Sequence, residues 1–159
     1  MKSHELSYKH KKILQILYIV FLSVLSLSFF LMPFGMYSEE QTPLLLYLAG
    51  ICFWVGLIGV VVTAVTVHIK RTGSARLLKG RAAVKQMGIF SFFQNPFATV
   101  ADCVMFLSIG GFVIFKCFTD LYVATFILCA LFVFSFGMHC FLNGINYKFL
   151  NSKDKGEKE

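Results

Sequence analysis

The sequence predicts an all-α membrane protein, an antiparallel four-helix transmembrane bundle made of two helical hairpins. Three observations predict this fold. Hydrophobic residues make up 57% of the chain and charged residues 14%, whereas about 25% of the residues of a typical soluble protein are charged. The apolar residues fall into four blocks and do not alternate with polar ones. Basic residues are concentrated in alternate segments between the blocks.

Each apolar block is long enough to form a transmembrane helix. The predicted spans are 13–34, 44–69, 97–115 and 121–142. About 20 residues are needed to cross a hydrocarbon core of about 30 Å. Backbone groups in hydrocarbon must be hydrogen-bonded within their own segment, so blocks of this length predict helices and not barrel strands. Asn95 followed by Pro96 predicts the start of the third helix.

The remaining segments divide the chain into three parts. Residues 1–12 form a basic N-terminal segment, and residues 13–148 form the four-span domain, with a loop at 70–96. Residues 149–159 mix charges of both signs and have almost no apolar residues, so a disordered tail is expected.

The distribution of positive charge predicts which side of the membrane each segment faces. Lysine and arginine number four in residues 1–12, none in 35–43, six in 70–96 and four in 143–159. The positive-inside rule therefore predicts that both termini and loop 70–96 are cytoplasmic. We expect a multi-pass protein of the cell membrane and not of an internal membrane.

The net charge of +7 is explained by this topology and does not call for a nucleic-acid partner. A basic cytoplasmic loop is attracted to anionic lipid headgroups. We expect such contacts from Arg76, Lys79, Arg81 and Lys85. The expected partners are the lipid bilayer, its anionic headgroups, and either a second copy of the chain or another membrane protein.

The second span carries a stripe of small side chains spaced by three and four residues. The stripe consists of Ala49, Cys52, Gly56, Gly59, Thr63 and Thr66. Small residues let helix backbones approach closely, which favours helix association in lipid. We expect the stripe to pack within the bundle; the alternative is a docking face for a second copy or another membrane protein.

Three titratable residues, His68, Asp102 and His139, are expected at one depth near the cytoplasmic ends of their spans. Asp102 is the only charged residue within a predicted span, which makes it a candidate for a functional site. We expect Asp102 to pair with Lys70, Arg71 or water at the membrane boundary. The alternative is a proton-linked or metal site, which requires three helices to converge, because histidine and aspartate bind zinc and iron.

The chain contains no HExxH, GxSxG or Walker A motif, and no catalytic residue or cofactor is predicted. These observations favour a non-enzymatic membrane protein that acts through helix–helix contacts, as an accessory, anchor or assembly subunit of a membrane complex. One alternative is an oligomeric small transporter or channel. The other is a membrane enzyme with a polar or metal site at the cytoplasmic face.

Overall fold

The computed structural model describes residues 8–36, 43–72, 87–94, 96–119 and 121–150 of the chain. These residues form four long helices and one short helix. The helices are α1 (Tyr8–Met36), α2 (Pro43–Thr72), α3 (Pro96–Phe118), α4 (Tyr122–Asn143) and α5 (Ile145–Leu150). No strand occurs in the described ranges. The prediction of an all-helical chain with four long apolar helices is confirmed there.

Each of the four long helices is long and apolar enough to cross a membrane. In the most apolar 18-residue stretch of each helix, only 17% to 28% of the residues are buried within the protein. The apolar side chains that remain exposed need an apolar solvent, since a soluble protein rarely leaves so large a contiguous surface uncovered. The structure therefore contains four candidate membrane spans, which supports the prediction of a multi-pass membrane protein.

The helices extend past the predicted apolar spans at several ends. Helix α1 begins at Tyr8, ahead of the predicted start at residue 13, and α2 continues to Thr72, past the predicted end at 69. Both extensions contain exposed lysines, whose charged heads remain in water while the backbone stays helical. Helix α3 begins at Pro96, as predicted, because proline suits the first turn of a helix.

The contacts between helices place them in the order α2, α1, α4, α3. Helix α1 packs against α2 on one side and against α4 on the other, and α3 packs against α4. In the described residues, α2 contacts neither α3 nor α4. Helix α5, which was not predicted, packs against α1, α2 and α4. The row is therefore not closed by a contact between its two outer helices.

Helices α1 and α2 approach each other closely at two glycines. A Cβ atom at Gly56 would lie 2.5 Å from the backbone nitrogen of Leu25, and one at Gly59 would overlap the ring of Phe21. No larger residue fits at Gly56 unless the backbones move apart. Close backbone approach gives the van der Waals contact that holds helices together in lipid.

Helices α1 and α4 are joined by hydrogen bonds from side chains to carbonyl groups. The Tyr18 hydroxyl donates to the Gly137 carbonyl over 3.2 Å, and Ser26 Oγ donates to the Ala130 carbonyl over 2.8 Å. The Tyr18 ring also stacks on Phe141, with 4.4 Å between the ring centroids. These bonds cross between the two central helices of the row.

Candidate functional site

Asp102 and His139 are in direct contact and form the most buried polar pair of the described chain. Asp102 lies near the start of α3 and His139 near the end of α4, and both have 0% exposure. His139 Nδ1 and Asp102 Oδ1 are joined by a hydrogen bond. The expected pairing of Asp102 with Lys70 or Arg71 is wrong, because those residues end α2, which does not contact α3.

The pair also binds the chain segment 87–94, which precedes α3. His139 Nε2 donates to the Ile89 carbonyl over 3.0 Å. At the other end of the segment, the Phe93 N–H donates to Asp102 Oδ2 over 2.6 Å. Each of the two side chains thus uses one atom to bond to the other side chain and a second atom to bond to the backbone of segment 87–94.

The hydrogen-bond partners determine the position of one proton. A carbonyl oxygen can only accept, so His139 Nε2 must carry a hydrogen to bond the Ile89 carbonyl. The bond between His139 Nδ1 and Asp102 Oδ1 then contains one further proton, held either as an imidazolium beside a carboxylate or as an imidazole beside a carboxylic acid. Both arrangements satisfy the same geometry.

Asn143 completes the surroundings of the imidazole. It lies four residues after His139, on the same face of α4, and its Nδ2 is 3.1 Å from His139 Nδ1. Its Oδ1 is buried and has no hydrogen-bond partner. Because an amide can be turned over without changing its shape, either atom can face the ring. Nδ2 can share the lone pair of an unprotonated Nδ1 with Asp102, and Oδ1 can share the hydrogen of a protonated one.

The segment 87–94 takes a conformation that brings it against α4. Gly88 has a φ of 66°, and a Cβ atom there would lie 2.7 Å from the backbone carbonyl oxygen of Asn143. Phe93 has a φ of 56°, which is uncommon for a residue other than glycine. Between them, Phe92 stacks on the imidazole of His139 at 4.8 Å between ring centroids. The segment therefore covers the pair as well as bonding to it.

This arrangement fastens one segment to two helices. Both imidazole nitrogens of His139 are hydrogen-bonded within the protein, and the side chain is 0% exposed. We call the set of Asp102, His139, Asn143 and the backbone of Ile89 and Phe93 the clasp, since holding the segment is what its geometry does.

His68 does not join this pair. It is 4% exposed and lies on α2, which contacts neither α3 nor α4 in the described residues. The convergence of His68, Asp102 and His139 considered from the sequence is therefore absent. Within residues 8–36, 43–72, 87–94, 96–119 and 121–150, no group of three His, Cys, Asp or Glu side chains is placed to hold a metal ion.

The structure places most of the small-residue stripe of α2 in the interior. Ala49, Gly56, Gly59 and Thr63 are buried. Cys52 and Thr66 are partly exposed. The hydroxyls of Thr63 and Thr66 donate to carbonyls of their own helix, four residues earlier, so neither bonds across to α1. The contact of this face with α1 depends on shape and not on hydrogen bonds.

The residues expected to contact lipid headgroups are not among those that the structure describes. Arg76, Lys79, Arg81 and Lys85 lie outside the described residues. By contrast, the structure adds three groups to the site that the sequence did not single out, namely the backbone of Ile89 and Phe93 and the side chain of Asn143. The spacing of Asn143 from His139 was a usable signal, but no sequence pattern marks the two backbone groups.

Comparison with protein-family models, curated proteins and solved structures gives no match for this chain.

Proposed function

We propose that this chain is a small multi-pass membrane protein that acts through helix–helix contacts, as an accessory, anchor or assembly subunit of a membrane complex. The observation that carries the proposal is the open order of the helices. Helix α3 packs against α4 alone among the described helices, so most of its surface has no protein neighbour. The buried side chains of Asp102 and His139 meanwhile bond to each other and to the backbone of segment 87–94, an arrangement that supports a structural role.

The proposed architecture is two antiparallel hairpins, α1 with α2 and α3 with α4. Two contacts support opposite directions for α1 and α2, because moving along α2 from Gly56 to Gly59 moves the contact on α1 back from Leu25 to Phe21. Likewise, Tyr18 meets Gly137 while Ser26 meets the earlier residue Ala130, which supports opposite directions for α1 and α4.

The face of α3 that points away from α4 is the surface we propose for contact with a partner helix. Its exposed members at spacings of three and four residues are Cys103, Leu107, Gly110, Ile114 and Cys117. A Cβ atom at Gly110 would have nothing within 4 Å. The small-residue stripe of α2 is already occupied by α1, so α3 has the more accessible small residues.

Gly110→Leu tests this proposal without disturbing the bundle. We expect the wild-type chain, solubilised in a mild detergent, to elute with a mass above that of one chain and to retain a co-purifying membrane protein. Gly110→Leu should release that partner, because the new side chain prevents close approach. Gly50→Leu on α2, where nothing lies within 4 Å of an added Cβ, is the matched control and should retain it.

The proposal is contradicted if the protein elutes with the mass of one chain in several mild detergents and no partner co-purifies with it. Equal loss of the partner in Gly110→Leu and Gly50→Leu would contradict the choice of α3.

We further propose that both termini and loop 70–96 face the cytoplasm, in the cell membrane. The support is the excess of lysine and arginine in alternate segments. Single cysteines at positions 38, 74 and 152, in a background without other cysteines, provide the test. A membrane-impermeant thiol reagent should label position 38 in intact cells and the other two only after permeabilisation. The reverse pattern would overturn the orientation.

The contact of loop 70–96 with anionic headgroups remains part of this proposal. Replacing Arg76, Lys79, Arg81 and Lys85 together by glutamine should weaken retention of anionic lipid by the purified chain. Unchanged retention of anionic lipid would show that these four residues do not bind the headgroups.

A further inference from the structure

A second group of basic residues lies where the start of α1, the end of α2 and α5 come together. Helices α1 and α2 are in contact at Leu25 with Gly56 and at Phe21 with Gly59. Continuing that register toward the start of α1 brings it beside the end of α2, and α5 packs against both helices. We name this group the basic corner, and its members are Lys9, Lys12, Lys70, Arg71 and Lys148.

The charge of the basic corner is not balanced by acidic side chains in the described chain. Asp102 is the one acidic residue within the described ranges. It pairs with His139, and α3, on which it lies, does not contact α1, α2 or α5. The like charges of the corner therefore repel one another, which favours binding of an anion.

Arg71 differs from the lysines around it. Its Nε is buried and has no hydrogen-bond partner in the part of the chain that the structure describes, while Lys9, Lys12, Lys70 and Lys148 are exposed. A buried guanidinium nitrogen without a partner is costly, and a phosphate group is the acceptor that the planar fork of arginine suits best. Arg71 as a whole residue is partly exposed, so its guanidinium group favours a phosphate-bearing ligand.

Apolar side chains lie directly beside these charges along the helices. Ile13 and Ile16 follow the basic residues of α1 and are each 52% exposed, and Ile69 precedes Lys70 on α2 and is 37% exposed. The basic corner thus combines positive charges with an adjoining apolar surface. A free phosphate would use the first feature, whereas a phospholipid uses both.

We propose that the basic corner binds an anionic phospholipid, with Arg71 as the central donor to the headgroup phosphate. The lysines supply the surrounding positive charge, and an acyl chain lies along the isoleucines of α1 and α2. This site is separate from the proposed contacts of Arg76, Lys79, Arg81 and Lys85. It depends on the proposed function only in that α1 and α2 cross the membrane, which puts the corner at headgroup level.

The test is a lipid titration of the full chain in detergent, followed by native mass spectrometry. Phosphatidylglycerol is the anionic probe, and phosphatidylcholine with the same acyl chains is the neutral one. Lys70→Gln with Arg71→Gln should weaken phosphatidylglycerol binding by roughly 25-fold, because each charge near the headgroup contributes about fivefold. The matched control is Lys116→Gln, a charge removed at the other end of the bundle, which should leave the affinity within about twofold.

The proposal is overturned by equal affinity for both lipids, by an equal loss in Lys116→Gln, or by full competition from millimolar inorganic phosphate. An unchanged elution volume of the double variant, checked beforehand, shows that its bundle is intact. The combined loop variant should lose less affinity than the double variant, and the opposite ranking would transfer the site to the loop. Failure here leaves the partner retained by α3 unaffected, so the two proposals are judged separately.

Discussion

The contact between α1 and α2 and the contact at the clasp hold helices together by different means. At Gly56 and Gly59, α1 and α2 meet through backbone proximity, and the threonine hydroxyls of that face bond within α2 itself. At the clasp, α3, α4 and the segment 87–94 meet through hydrogen bonds of buried side chains. In lipid no hydrophobic force drives helices together, so shape and polar bonding are the two means left. This chain uses each in a different place.

The first prediction breaks the contact that depends on shape. Gly56→Leu should destabilise the bundle by about 3 kcal/mol, the upper part of the range for overpacking. The added carbons meet the backbone of Leu25, which cannot move aside as a flexible side chain could. The measurement is unfolding of the purified chain by increasing sodium dodecyl sulfate in mixed micelles.

Gly50→Leu is the control for this prediction, since it makes the same change on the same helix in open space. It should be neutral or slightly stabilising, because leucine favours the helix by about 1 kcal/mol relative to glycine. Equal losses in the two variants would show that close backbone approach does not hold α1 and α2 together.

The second prediction breaks the contact that depends on polar bonding. Asp102→Ala should cost about 2 kcal/mol, because it leaves the Phe93 N–H and a ring nitrogen of His139 buried without their partner. Asp102→Asn should cost less than about 1 kcal/mol. Its amide can donate to His139 Nδ1 and accept from the Phe93 N–H, provided that the imidazole is neutral.

The comparison of the two Asp102 variants also reports on the proton in the pair. If Asp102→Asn proves as damaging as Asp102→Ala in the same unfolding measurement, the negative charge and not the hydrogen-bond geometry stabilises the clasp. In that case the pair is an imidazolium beside a carboxylate, and the other arrangement, an imidazole beside a carboxylic acid, is excluded.

The third prediction disturbs the segment and not the pair. Gly88→Ala should cost about 1 to 2 kcal/mol, because alanine disfavours a φ of 66° and its Cβ would lie 2.7 Å from the Asn143 carbonyl oxygen. Hydrogen exchange should increase at the amides of residues 89–94 and stay unchanged in α1 and α2. Phe90→Ala, at a side chain that is 78% exposed, should change neither. Equal hydrogen exchange in Gly88→Ala and the wild type would show that the conformation of Gly88 does not help to hold the segment against Asp102 and His139.

The four spans could be predicted from the sequence because apolar block length is a local property. The ends of α1 and α2 were less predictable, since hydropathy detects the hydrocarbon and not the helix, and both helices continue through lysines into the polar region. Helix α5 was missed because it has six residues, too few for a periodic pattern to identify.

The partner of Asp102 could not be predicted because it depends on which helices are neighbours. The sequence placed His68, Asp102 and His139 near one depth, and depth alone made Lys70 and Arg71 equally suitable partners. The helix order puts α4 beside α3 and leaves α2 at the other end of the row, so His139, and neither Lys70 nor Arg71, meets Asp102. Hydrophobic patterning predicts how deep a residue lies in the membrane but not which helices are neighbours. The neighbouring helix determined the partner of Asp102.

The smallest expected effect concerns α1 and α4, where the two means of packing occur at one residue. Tyr18→Phe removes the hydroxyl that donates to the Gly137 carbonyl but keeps the ring that stacks on Phe141. A hydrogen bond between membrane helices contributes about 0.6 kcal/mol on average, so we expect a loss of that size in the same unfolding assay. Ser26→Ala removes the other bond between these helices, to the Ala130 carbonyl, and should cost a similar amount. Tyr18→Ala should cost several times more, because it removes the stacked ring as well. If Tyr18→Phe instead costs as much as Asp102→Ala, hydrogen bonds hold the row together along its length, and the hydrogen bonds of the clasp do not set it apart from the other helix contacts.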